Sequence, residues 1–115
     1  MSADCLFCKI IAGEIPANII YEDSLLVVFE DIDPQAPQHF LIVPKKHIAT
    51  TLDLTAEDNE LVGHVYQIAG KVARDSGFSA DGFRVVNNCN DGGGQTVWHI
   101  HFHLLGGRNM TWPPG

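Results

Sequence analysis

The sequence predicts an α+β fold, a mainly antiparallel sheet with one long helix laid across one of its faces. Three observations predict it. Short apolar runs, "LLVVFED", "HFLIVP", "FRVV" and "VWHIHFHLL", are bounded by turn-forming residues. One longer stretch carries apolar residues at helical spacing: Leu61, Val62, Val65, Ile68, Ala69 and Val72. The chain has 115 residues, 45% of them hydrophobic. That suffices for one compact core and is too little for two ordinary domains, so residues 1–115 read as a single domain.

Each element has a local reason. "DCLFCKIIAGE" reads as a short helix ending near Gly13, with Pro16 preventing its continuation. "LLVVFED" and "HFLIVP" are strands separated by "IDPQAPQ", whose two prolines and polar residues mark a turn. The long helix starts at Thr55, an N-cap with Asp58 at the capping-box position, and stops before Gly77. "FRVV" is a third strand. The polar loop "NNCNDGGGQT" leads into the fourth, "VWHIHFHLL", before a proline-ended tail.

Composition limits what the protein does. Fourteen acidic against seven basic residues give a net charge of −7, which disfavours broad contact with nucleic-acid phosphates or anionic membranes. A small anionic ligand in a local pocket stays allowed. No apolar run approaches the roughly 20 residues that cross a bilayer, and the start does not resemble a secretory signal, so a cytoplasmic protein is expected. Three cysteines cannot all pair within one chain, and the Cys5-x-x-Cys8 spacing suggests metal binding or redox chemistry.

The stretch "HIHFHLL" carries three of the six histidines at alternate positions. On a strand, Ile100, Phe102 and Leu104 face one side, toward helix and core, and His99, His101 and His103 the other. Successive histidines then start about 6.6–6.8 Å apart, so one can meet a reacting atom while its neighbours reach flanking groups. A solvated edge face, a zinc site and nucleophilic catalysis by a neutral imidazole are the three readings. The preceding "NDGGGQT" offers backbone N–H groups suited to phosphate oxygens, which favours phosphorus chemistry.

"QTVWHIHFHLLGGRNMTWPPG" resembles the signature of the histidine triad superfamily, and its "GGR" and terminal "WPPG" resemble the Hint branch of nucleoside phosphoramidate hydrolases. The similarity runs upstream through "GFRVVNN", "FEDIDPQAPQHFLIVPKKHI" and "CKIIAGEIPANIIYED", nearly the whole chain. It implies a homodimeric hydrolase of purine nucleoside 5′-phosphoramidates with a HIT-like fold whose sheet continues across the dimer. By that resemblance His101 is the nucleophile, His103 contacts the α-phosphate and leaving group, Thr96 lies near the scissile bond, and His39 supports the triad. Asn88, Gly94, Gln95 and Val97 would line the phosphate side, with Asn87 a rival to Asn88. Asp31 would accept from both ribose hydroxyls. Leu6, Phe7, Ile10, Phe29 and Ile32 would form the slot for the base, and Trp112 would shape the leaving-group side of the partner protomer's site.

The cysteine pair departs from the animal Hint pattern and resembles bacterial members and the related nucleotidyl transferases. The resemblance implies a structural zinc on Cys5, Cys8, His47 and His99, a closed tetrahedral set with no open position. Cys89 and His64 are expected to have no role beyond their loop and helix surface, and Lys45 and Lys46 to lie in a solvated turn. Two other activities fit the same pocket: a nucleotide-binding regulatory module with incidental turnover, and a dinucleoside polyphosphate hydrolase.

Overall fold

The structure, a computed structural model, describes residues 4–115. Five strands form one antiparallel sheet in the order β1-β2-β3-β5-β4. They are β1 (Ile19–Glu22), β2 (Leu26–Glu30), β3 (Gln38–Pro44), β4 (Phe83–Val86) and β5 (Phe102–Gly106). Strand β1 has no counterpart among the elements expected from the sequence. This edge strand leaves Ile19 and Ile20 about two-fifths exposed, so it lacks the buried alternation that identifies a strand. Asp23 makes the turn into β2, its Oδ1 accepting from the amides of Leu25 and Leu26 at 2.8 and 3.0 Å.

Both faces of the central strands are covered, and strand alternation divides the core accordingly. Leu26 and Val28 of β2, Phe40 and Ile42 of β3, and Phe102 and Leu104 of β5 pack with Ile100 under the long helix α2 (Asn59–Asp75). On the opposite face Val27, Phe29, Leu41 and Val43 pack with the short helix α1 (Leu6–Ile11). His99 and His101 meet Phe7 of α1 on this second face.

The helix stripe is Leu61, Val65, Ile68, Ala69, Val72 and Ala73; Val62 sits at its margin, half-buried. The Thr55–Asp58 capping box closes a separate 3-10 turn (Ala56–Asp58) that feeds α2. At the other end Gly77 has φ +85° and the Gly77 and Phe78 amides bond the carbonyls of Arg74 and Ala73, a Schellman stop. Gly13 ends α1 at φ +78°. Among the described residues no helix is long and apolar enough to cross a membrane.

Two expectations are corrected here. His64 is tied into the fold: its Nε2 lies 2.6 Å from Asp23 Oδ2, joining α2 to the β1–β2 turn. Strand β5 begins at Phe102, not Val97, because residues 97–101 carry no regular ladder.

Candidate active site

His99 and His101 lie against Phe7 of α1, and His103 is paired in the sheet with Leu41 of β3. Phe7 sets its ring edge-on to His101, centroids 5.0 Å apart, and to His99 at 5.9 Å, so the short helix braces the triad. His99 and His101 are buried and His103 half-buried.

Each triad imidazole has one nitrogen fixed by the protein. His99 Nε2–H donates to the Pro44 carbonyl at 2.7 Å, which turns Nδ1 toward the cysteines. His101 Nδ1–H donates to the His99 carbonyl at 2.8 Å, leaving the Nε2 lone pair free. His103 Nδ1 lies 2.9 Å from His39 Nε2, which is itself 3.4 Å from Asp31 Oδ2. Burial lowers the pKa of all three triad histidines and of His39; for His103, with His101 and His39 adding repulsion, it falls to about 4. The imidazoles are therefore neutral near pH 7, the form in which a nitrogen lone pair can attack or coordinate.

Cys5, Cys8, His47 and His99 converge and could hold a metal ion. His99 Nδ1 lies 3.3 Å from Cys5 Sγ, 3.5 Å from Cys8 Sγ and 3.1 Å from His47 Nδ1, and Cys8 Sγ lies 3.3 Å from His47 Nδ1. The Cys5–Cys8 spacing is set by the first turn of α1, where Cys5 is the N-cap and its sulfur accepts from the Cys8 amide.

Beside the cluster a cavity of about 380 Å³ opens over the sheet. Of the residues expected at a nucleotide, Leu6, Phe7, Ile10, Phe29, Asp31, Ile32, Thr96, Val97, His101 and His103 line it. Ile15, Pro16, Ala17 and Leu41 also do, and sequence reasoning missed them. For Ile15, Pro16 and Ala17 the only signal is the lack of any other reason for apolar residues in the turn after α1, whereas Leu41 lies in β3 and reads from sequence as strand core. Ile32 stands fully exposed on the rim. Asn88, Gly94, Gln95 and Trp112 do not line the cavity.

The glycine-rich loop differs from the open cradle its composition suggests. Asn90–Gly93 forms one helical turn, and the amides of Gly94 and Gln95 close it on the carbonyls of Asp91 and Asn90. Those two amides are spent on the loop itself. The Gln95 side chain is buried and fully used: Nε2 donates to the carbonyls of Ala49 and Val97, and Oε1 accepts from the Asn90 amide. Asn87, the rival of Asn88, has the more evident role, since its Nδ2 donates to the His101 carbonyl at 2.9 Å and its Oδ1 accepts from Thr51 Oγ1. Trp112 is exposed on a tail that Arg84 holds through the Thr111 carbonyl.

The HIT domain model matches residues 12–110. The chain is 47% identical over 110 residues to the purine nucleoside phosphoramidase of Escherichia coli, covering 96% of this chain and 92% of that protein. It is 50% identical to an uncharacterised HIT-like protein of Synechococcus elongatus over the full length of both. Among solved structures, a HIT family hydrolase from Legionella pneumophila superposes with a TM-score of 0.95 at 57% identity, covering 97% of this chain and 100% of that one. A histidine triad protein from Clostridium difficile superposes at 0.93, with 43% identity and 96% of each chain covered. Sequence and backbone agree along the same span that carries the triad, and the chain belongs to the HIT domain family.

Proposed function

We propose that the protein hydrolyses purine nucleoside 5′-phosphoramidates, conjugates of AMP with amines, through a nucleotidyl intermediate on His101. The observation that carries this reading is the 2.8 Å bond from His101 Nδ1–H to the His99 carbonyl. It fixes the tautomer whose Nε2 lone pair is nucleophilic, in a residue that lines a nucleotide-sized cavity. The name of the Escherichia coli relative supports the substrate class.

In the first step His101 Nε2 attacks phosphorus, the P–N bond breaks, and the departing amine takes a proton from water. In the second, water attacks phosphorus, the Nε2–P bond breaks, and one proton returns to solvent with AMP. His103 contacts the phosphoryl oxygens and leaving group, with Thr96 beside the scissile bond. Asp31 accepts from the ribose hydroxyls, and Phe29, Ile10 and Ile32 flank the base. Mass spectrometry of enzyme quenched during turnover of an AMP-amine conjugate tests the scheme: adenylylated His101 is expected. Near-normal turnover by His101→Ala would refute it.

The donor set at Cys5, Cys8, His47 and His99 fits zinc in a structural role. A tetrahedral zinc with Zn–S about 2.3 Å and Zn–N about 2.0–2.1 Å sets ligand nitrogens about 3.3–3.4 Å apart and sulfur from nitrogen about 3.5–3.6 Å. The corresponding separations of 3.1 Å, and of 3.3–3.5 Å, lie within a few tenths of an ångström. Cys5, Cys8, His47 and His99 would supply all four ligands and leave no open position, so a bound zinc would tie α1 to the triad segment in a structural role.

The protein acts as a cytoplasmic homodimer in this reading. Strand β4 is an outer edge of the sheet, available for pairing with a second copy. The tail is held to Arg84 of that strand, which suits Trp112 to reach the partner's leaving-group side. Light scattering reads the mass. Deleting residues 112–115 is expected to change the ranking of amine leaving groups while the dimer stays intact.

A further inference from the structure

His39 contributes more than packing behind the triad. Its Nδ1 accepts a hydrogen bond from the Gln35 backbone amide at 3.0 Å. An amide N–H can only donate, so Nδ1 carries no proton and the neutral ring holds its proton on Nε2. That N–H is the one facing His103 Nδ1 at 2.9 Å, with Asp31 Oδ2 3.4 Å away on the same side. His103 Nδ1 is then an acceptor, and the proton of neutral His103 must sit on Nε2. One backbone amide thus dictates the tautomers of two histidines in series.

Gln35 is held from its other side as well. Its carbonyl accepts from Arg108 Nε at 3.1 Å, and its side-chain Nε2 donates to the Asp33 carbonyl at 3.0 Å. Arg108 follows Gly107, whose backbone comes so near Pro37 that an added Cβ would lie 2.9 Å from the proline Cβ. The segment after the triad strand therefore grips the β2–β3 connection at Gln35 and at Pro37.

We propose that Gln35 and Arg108 are positioning residues that clamp His39 in its Nε2–H tautomer and so oblige His103 to present Nε2–H as a hydrogen-bond donor to the phosphoryl group. The clamp also bars His39 from relaying protons: taking one on Nδ1 requires breaking the Gln35 bond. His103 acts as a neutral donor stabilising charge on the phosphoryl oxygens.

Long-range 1H–15N spectra of the full-length protein read the tautomers without any substrate. The expected spectrum shows His39 with an unprotonated Nδ1 and a protonated Nε2, and His103 likewise. Replacing the Gln35 amide by an ester, which deletes the N–H and keeps the side chain, should move both histidines toward mixed tautomers. Arg108→Ala should do the same in smaller measure. The kinetic arm rests on the phosphoramidate reading: kcat for an AMP-alkylamine falls about tenfold in the ester protein while KM stays within about twofold, since a donor to the transition state is mispositioned and substrate contacts remain. A proton on His39 Nδ1 in the unmodified protein overturns the clamp, as do wild-type tautomers in both altered proteins or wild-type kcat with mixed tautomers. Absence of turnover by the unmodified protein, with the expected tautomers present, refutes the substrate assignment and leaves the clamp standing.

Discussion

Gly106 closes the triad strand at a point where a single methyl group has nowhere to go. A Cβ built on it lies 2.8 Å from Phe78 Cε2, 3.1 Å from Cγ and closer still to Cδ2. The Phe78 ring is 4% exposed, stacked on Phe40 at 6.3 Å and edge-on to Phe83 at 6.2 Å, so it has little room to step aside. The glycine backbone is equally confined, paired with Gln38 on one side and Phe83 on the other. Gly106→Ala is therefore an overpacking substitution, expected to cost about 1–3 kcal/mol. For a chain of this size that is a fall in Tm of roughly 4–12 °C. Thermal melts at matched protein concentration measure it, and a cycle with Phe78→Leu identifies the cause: the smaller side chain should recover about 1 kcal/mol or more of the alanine penalty. A single variant within about 0.5 kcal/mol of wild type, or strictly additive effects in the cycle, would refute this account of the packing.

Three further outcomes follow from the site. Chelation or Cys8→Ser should lower Tm by releasing metal whose binding is coupled to folding; an intact fold in protein shown by elemental analysis to hold no metal would remove the site. Because burial, with His101 and His39, holds His103 at about 4, and burial lowers His39 too, their folded pKa values lie below the ordinary value near 6.5. Stability is then full above about pH 6.5 and declines as pH falls from there toward 4, where the unfolded chain binds protons that the folded one refuses; urea midpoints that stay level across that window would contradict it. If Asp31 accepts from the ribose hydroxyls, a 2′-deoxy substrate should be handled worse by the wild type, with the gap narrowed in Asp31→Asn; an unchanged ratio of specificity constants would put the ribose elsewhere.

What the sequence reveals of this molecule depends on whether a residue's role is periodic. The helix stripe and the alternation of Ile100, Phe102 and Leu104 with the three histidines are legible because burial on one face imposes a period. The edge strand Ile19–Glu22 is not, because its apolar residues stay partly exposed. The cluster of Cys5, Cys8, His47 and His99 is legible through the family resemblance and the cysteine spacing, since one helical turn suffices to bring Cys5 and Cys8 together. Side chains that serve the backbone leave no such trace. Asn87 and Gln95 each satisfy specific carbonyls brought near by tertiary structure, and nothing in "VVNNCND" distinguishes the asparagine that holds the triad from its neighbour. Gln35 is harder still to find, because its backbone and not its side chain meets His39.

The late start of β5 explains how three histidines at alternate positions can serve three different ends. In a regular central strand each carbonyl points along the sheet and is spent on the ladder. Here Ile100 N donates to the Ile48 carbonyl, outside β3, and pairing between β3 and β5 begins only at Phe102. The His99 carbonyl is thereby free to accept from His101 Nδ1, and the His101 carbonyl takes the side chain of Asn87 in place of a strand partner. Had pairing continued to Val97, His101 would have lost the acceptor that fixes its tautomer. His103, inside the ladder opposite Leu41, has no free carbonyl beside it and takes its tautomer from another imidazole. The irregular segment before Phe102 thus decides which nitrogen of His101 meets the substrate, while the regular strand after it holds His103 at hydrogen-bond distance from His39.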